Sequence, residues 1–286
     1  ALAALENARE IDARHPALRV QFVMSDKYVD LSQGDADVAL RSGDTDDDEL
    51  ADVIAEFEPP IVSFHFGLPS ADRIAALREA GIRLMATATS AAEASAICDA
   101  GLDAIVAQGI EAGGHRGIFD PATEDPKSST HDLLCQLLGH VTLPVIAAGG
   151  IMTGGDIAAV LALGAEAAQL GTAFIACPES AADAAHRKAL TETPLAETVI
   201  TSVISGRPAR CLVNGFTRLQ PALSGLTPPD YPLTYDAGKA LNLAARAAGD
   251  HGFGAQWAGC GADRARTLPV PTLMSLLEAE LGQARA

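Results

Sequence analysis

The sequence predicts an α/β fold with a parallel sheet and right-handed crossovers, on three observations. Short apolar runs without polar alternation recur, as in Asp103 to Ala107 and Val145 to Ala148, which suits parallel strands buried on both faces. Helical patterns that end near a glycine alternate with these runs, the rhythm of repeated strand–helix units. In the stretch Pro144 to Phe174, two runs end in Gly149-Gly150 and in Gly171-Thr172, on the order of 20 residues apart, one strand–helix unit. Glycines there let backbone N–H groups approach a ligand, and in (β/α)8 barrels a phosphate sits after the last two strands. The competing reading is two ordinary strand ends with no ligand.

The elements follow in order. Ala1 to Ala13 has a helical pattern that ends at His15-Pro16, because a residue before proline avoids the α region. Leu18 to Met24 and Asp37 to Leu40 read as short strands, and residues 43–49 (GDTDDDE) as an acidic linker or helix start. From Leu50 the units become regular. Pro60 to Phe66, Ile82 to Thr87, Asp103 to Ala107, Val145 to Ala148 and the run before Gly171 are five strands. Between them lie helices at Ser70 to Ala80, with Ser70 as cap, and at Ser90 to Ala100, with a capping box to Glu93. Two more span Ser128 to Leu138 and Thr153 to Leu163. Beyond about residue 176 the style changes. Ala181 to Leu190, Asp236 to Ala247 and Pro271 to Ala284 are helical, Thr198 to Ile204 is strand-like, and Ser205 to Arg210 is a turn. This part reads as a cap around the barrel mouth, so the domains are 1–49 and 50–286.

Composition bounds the function. A chain of 286 residues fits one large domain or two small ones, and 48% hydrophobic content supplies its core. Aromatics are 4%, so Ala, Val, Ile and Leu must build that core. A net charge of −17 argues against nucleic-acid binding, while a local pocket can still hold an anion. Cys98, Cys135, Cys177, Cys211 and Cys260 form no CxxC pair and read as thiols of a reducing compartment. No apolar run reaches the roughly 18 residues of a membrane span, and no signal peptide is recognisable. A cytoplasmic protein without membrane or nucleic-acid partners is expected.

The chemistry points to the loop Gln108 to Phe119 (QGIEAGGHRGIF), which follows a strand and so shares the face of the glycine sites. Gly113-Gly114 frees the backbone before His115, which Glu111 and Arg116 flank. An imidazole titrates near neutral pH and serves there as general base or anion stabiliser; a surface histidine in a glycine loop is the competing reading. Alternation puts Ser63 and His65 on one strand face and Phe64 and Phe66 on the other, and His65 reads as a core or supporting residue. Ser205-Gly206-Arg207 reads as a phosphate contact or a turn, and Trp257 as a stacking or a packing ring. No metal-ligand spacing, nucleophile elbow or P-loop is present.

HFGLP (65–69), QGIEAGGHRG (108–117), PVIAAGGI (144–151) and AAQLGTAF (167–174), with SGRPAR (205–210) and the WAG of residues 256–261, resemble nitronate monooxygenases. The likeness covers about residues 50–286. It implies a TIM (β/α)8 barrel that carries FMN non-covalently and oxidises alkyl nitronates such as propionate 3-nitronate with O2, giving a carbonyl product and nitrite. By resemblance His115 is the catalytic histidine. Gln108, Gly113 and Gly114 line the isoalloxazine and ribityl side, and Gly149, Gly150, Gly171 and Thr172, with Gln169 or Leu170 before them, hold the FMN phosphate. Cys260 stands where the family is expected to have Gln. Residues 8–45 instead resemble a fragment of the effector-binding domain of LysR-type regulators, in place of the family's first three strands and their flavin motifs. The expectation is a barrel lacking its first strands, with weakened flavin binding and room for a homo-oligomer, or a non-catalytic remnant.

Overall fold

The computed structural model describes residues 38–42, 59–192, 196–223 and 225–286. The helix and strand expected within 1–36 and the acidic run 43–49 lie outside the described residues.

Six parallel strands form the main sheet in the order β1-β2-β3-β4-β6-β7: β1 Val38–Ser42, β2 Ile61–His65, β3 Arg83–Ala88, β4 Ala104–Gln108, β6 Val145–Ala148 and β7 Ala167–Gln169. All five strands expected after Leu50 are present, and the one expected at Asp37 to Leu40 is β1. It pairs with β2 from Val38↔Ile61 to Ser42↔His65, so the sheet continues across the style change at residue 50. The crossovers carry α1 Ala71–Glu79, α2 Ala91–Asp99, α3 Thr130–Leu138 and α4 Gly154–Leu163. Near the carboxyl end come α5 Thr172–Ile175, α6 Ala184–Glu192, α7 Leu233–Ala247 and α8 Val270–Arg285. This is an α/β barrel-type fold.

Alternation along each strand divides the sheet into two faces. Val62, Phe64, Leu84, Ala86, Ile105, Ala107, Val145 and Ala147 pack under the helices with Ile74, Leu77, Ile97 and Leu133. Met85, Val106 and Ala148 form a second cluster with Ile61, Ala104 and Ile146 on the other face. Short aliphatic side chains suffice because the helices approach closely. At Gly154 a Cβ would run into the α8 backbone at Leu277 and Leu281, and Glu280 reaches across to accept from the Gly154 N–H at 2.8 Å.

The caps differ from expectation in detail. Ser70 makes no side-chain cap bond. Ser90 accepts from the Glu93 N–H, but Glu93 Oε2 accepts from the Thr89 N–H and hydroxyl, and Oε1 from the Phe119 N–H at 2.8 Å. The half-made box frees Glu93 to tie down the end of the long loop. A complete box occurs at Thr153 and Asp156.

The cap folds onto the loop after β4. Gly114–His115 is a two-residue strand, β5, which pairs with β9 (Ala209–Leu212), and β9 pairs with β8 (Thr198–Thr201). Two expectations change here. The stretch Gln108 to Phe119 is not loop throughout, and the turn ends at Pro208, since Ala209 and Arg210 enter β9. The reason is long-range pairing, which local turn residues do not encode.

Candidate active site

The loops after β2, β4, β6 and β7 all leave the carboxyl ends of parallel strands, the face where barrel sites assemble. His115 sits among them, anchored by backbone and side-chain bonds. The Gln108 Nε2–H donates to the His115 carbonyl at 2.9 Å, and Gln108 Oε1 accepts from the Gly117 N–H at 2.8 Å. His65 Nε2 lies 3.3 Å from the same carbonyl and Nδ1 lies 3.0 Å from Thr87 Oγ1. A carbonyl only accepts, so His65 carries its proton on Nε2 and takes the Thr87 O–H on Nδ1. Burial, helped by the nearby His115, Arg207 and Arg116, lowers its pKa to about 4. His65 is thus a neutral strut under the His115 loop.

The flanking charges are structural. Arg116, 1% exposed, pairs with Asp125 at 2.8 Å and donates to the carbonyls of Gln108 and Gly109. Asp125 pays desolvation yet ends below the ordinary carboxylate range, because Arg116 and the Lys127 N–H hydrogen-bond it. Glu111 Oε2 accepts from the Thr130 N–H at 2.8 Å and its hydroxyl at 2.9 Å, which fixes the start of α3.

The half-buried His115 ring sits among aromatic side chains. Its centroid lies 5.6 Å from Phe66, 5.4 Å from Tyr231, 5.8 Å from Tyr235 and 5.0 Å from Trp257, and its Nε2 is 2.8 Å from Ser205 Oγ. Phe66 departs from the expected alternation. It lies past the end of β2 with φ 74°, which turns its ring toward His115. A bulky residue held at positive φ is costly and persists where the surroundings over-determine it. Arg207 supplies part of that, its guanidinium lying 4.0 Å over the Phe66 ring.

The glycines divide into two kinds. At Gly113 a Cβ would lie 2.5 Å from the Gly259 nitrogen and 2.6 Å from the Ala258 carbonyl carbon, so this glycine permits backbone-on-backbone packing. Gly114, at φ 78°, and Gly171 face open space. Gly149 and Gly150 are left-handed at the end of β6. The N–H groups of Gly149, Gly150 and Gly171 donate to no other group among the described residues. Beside them Gln169 Oε1 is buried without a described partner. The Thr172 hydroxyl accepts from the Gly259 N–H at 2.9 Å, and the Cys260 N–H donates to the Glu111 carbonyl at 2.8 Å. Residues 258–260 therefore stitch the histidine loop to the loop after β7.

The structure thus brings His115, Gln108, Gly113, Gly114, Gly149, Gly150, Gln169, Gly171 and Thr172 to one face. The side chain of Gln108 is consumed in holding the loop, and Gly113 is covered by backbone. Sequence reasoning missed Tyr231 and Tyr235. They stand four residues apart, a spacing that brings side chains to one side, among only 3 tyrosines in the chain. A cleft of about 630 Å³ lies between β8 and Leu226. Among the described residues no helix is long and apolar enough to cross a membrane.

A family model for nitronate monooxygenase matches residues 17–280. The chain is 55% identical over 238 residues to a nitronate monooxygenase of Paraburkholderia phytofirmans, covering 83% of this chain and 65% of that protein. With a nitronate monooxygenase of Pseudomonas aeruginosa it shares 50% identity, over 82% of this chain and 67% of the relative. The chain thus spans about two thirds of the length of these curated relatives. Nitroalkane oxidase from Streptomyces ansochromogenes superposes with a TM-score of 0.78 at 46% identity, covering 85% of this chain and 72% of that one. FabK from Thermotoga maritima superposes with a TM-score of 0.71 at 28% identity, covering 88% and 79%. The expected LysR likeness of residues 8–45 finds no support here, since the family match begins at residue 17 and takes in most of that stretch.

Proposed function

The chain belongs to the nitronate monooxygenase family, and on that premise we propose that it oxidises alkyl nitronates of the propionate 3-nitronate kind with O2, using FMN, to a carbonyl product and nitrite. The observation that carries this reading is His115. Its imidazole is ringed by four aromatic side chains and bonded to a buried serine, on the face that also carries the glycine loops.

The residues present fit FMN. Unengaged backbone N–H groups at Gly149, Gly150 and Gly171 suit a phosphate, and the partnerless Gln169 Oε1 suits a ligand donor. These residues, with Thr172, would hold the phosphate end. Gly114 would leave room for the ring and ribityl part, while Gln108 and Gly113 support that wall from behind. When bound, the flavin supplies the electron-accepting chemistry.

The protein's own part is proton handling and exclusion of water. A nitronate arrives already deprotonated and needs only to be oriented. A neutral nitroalkane has first to lose its α-proton, and His115 is the base in reach of such a substrate. Phe66, Tyr231, Tyr235 and Trp257 surround the imidazole with low-dielectric walls, where its charge interactions are stronger than in water. The test is direct. The purified chain with added FMN should keep the oxidised-flavin absorption through gel filtration, and should consume O2 and release nitrite from propionate 3-nitronate. A chain that stays colourless with FMN overturns the reading.

A further inference from the structure

The loop after β6 is held by one cation from the cap. Arg264, in the short 3-10 helix Ala262–Arg264, donates from Nη2 to the Gly150 carbonyl at 2.9 Å and from Nη1 to Asp156 Oδ2 at 2.8 Å. Each of these nitrogens has its own hydrogens, so the two bonds do not compete. The same Asp156 oxygen accepts from the Met152 and Thr153 N–H groups at 2.9 and 3.0 Å. Burial works against the Asp156 charge, yet the Met152 N–H and Arg264 hold its pKa below the ordinary carboxylate range. Gly261, at φ 84°, makes room for the guanidinium. A Cβ there would lie 2.7 Å from Arg264 Nη2 and 3.0 Å from Nε.

A trans peptide sets its C=O and its N–H on opposite sides. The Gly150 carbonyl faces the guanidinium, so the Ile151 N–H of the same peptide faces away from it. The Ala148 carbonyl is likewise taken, by the Gly109 N–H at 2.9 Å, which turns the Gly149 N–H the other way. The N–H groups of Gly149, Gly150 and Ile151 donate to no other group among the described residues, although Ile151 is only 5% exposed. Buried N–H groups are almost always paired, so an unpaired one after a parallel strand points to a ligand.

We propose that Arg264 is a positioning residue for the flavin phosphate: it holds the Gly150 carbonyl, so that the Gly150–Ile151 peptide is oriented to donate before the anion arrives. The guanidinium stays on the far side of that peptide, paired with Asp156, and acts through the backbone rather than on the phosphate itself. A donor set in place beforehand spares binding the cost of ordering the loop.

This inference rests on the proposed use of FMN, but its test reads binding and not turnover. FMN and riboflavin differ only in the phosphate, so the ratio of their affinities isolates it. By quenching of flavin fluorescence, Arg264→Met should weaken FMN binding about three- to tenfold and leave riboflavin binding unchanged. Gly261→Ala keeps the charge but displaces the guanidinium, and should shift the ratio the same way. Equal losses for both flavins would make Arg264 merely structural. That result, an unchanged ratio in Arg264→Met, or a full FMN preference in Gly261→Ala overturns the inference. Without flavin, inorganic phosphate titrated into the 15N-labelled chain should move the Gly150 and Ile151 amide signals, and should need a higher concentration to do so in Arg264→Met; no response, or the same response in both, overturns it too. The expected phosphate response in a chain that binds neither flavin would sink the proposed function and leave the role of Arg264 standing. Nitronate turnover with one FMN-to-riboflavin ratio in the wild type and both variants would do the reverse.

Discussion

The barrel sheet and the cap solve opposite problems. Strands β2, β3, β4 and β6 are held by unbroken parallel ladders and by aliphatic clusters on both faces, so their carboxyl ends stand at fixed positions whatever sits on them. The cap has two small clusters, around Leu190 and around Phe216 and Tyr235. Much of its order comes from side chains that bond distant backbone, such as Arg210 to the Ile110 carbonyl and Arg207 to the Ile118 carbonyl. Yet the cap supplies Tyr231, Tyr235, Trp257 and Ser205 around His115, while the end of β2 supplies Phe66. The barrel places the histidine, and the cap decides its chemical surroundings.

The contrast can be broken most strongly at the histidine. His115→Ala should leave the thermal transition close to wild type and cut nitrite release by about 10²- to 10⁴-fold; activity within tenfold of wild type would move the chemistry elsewhere. Next comes the cation beneath it. Arg116→Met strands Asp125 and two carbonyls, and should cost about 3–5 kcal/mol in denaturant unfolding; a loss under about 1 kcal/mol would make that buried pair dispensable.

Smaller effects separate the two kinds of glycine. Gly113→Ala forces a Cβ into the Gly259 backbone and should lose about 1–3 kcal/mol together with the cap's hold on the site. Gly114→Ala meets only its own positive φ, which costs about 1–2 kcal/mol. If Gly113→Ala loosens the cap no more than Gly114→Ala, judged by proteolysis of residues 196–260, the stitch is not what joins the two regions.

The gentlest probe is pH. His65 is neutral in the fold with a pKa lowered to about 4, against an ordinary value of 6.5, so the unfolded chain binds the extra proton first. Stability should be unaffected above about pH 6.5, fall as pH drops toward 4, and level off below, by about 3 kcal/mol at most. His65→Gln should flatten that slope; an equal slope in the variant would assign it to other groups.

The five regular strands and the two glycine sites were legible because each is written in neighbouring residues: an aliphatic run, a glycine stop, a helical stripe. His115 was legible from its glycine-rich loop. The walls around it were not. Phe66 reaches the ring only through a positive φ that strand alternation does not show. Tyr231, Tyr235 and Ser205 arrive from segments about 90 residues or more along the chain, and β9 exists because β5 pairs with it. Residue type made Arg116 and Glu111 charged flanks of the histidine, whereas their hydrogen bonds to the Gly109 carbonyl and from Thr130 make both scaffolding.

The stitch at residues 258–260 also sets an order of events during synthesis. Its bond to Thr172 spans 87 positions, and its bond to the Glu111 carbonyl reaches farther back. A nascent chain can lay down its strand–helix units one after another as they leave the ribosome, because their contacts are local. The loops after β4 and β7 stay untied until residues 258–260 emerge. The candidate site is then tied together only after all of its strands have been made, and a ribosome that stalls just short of Gly259 would leave its loops unjoined.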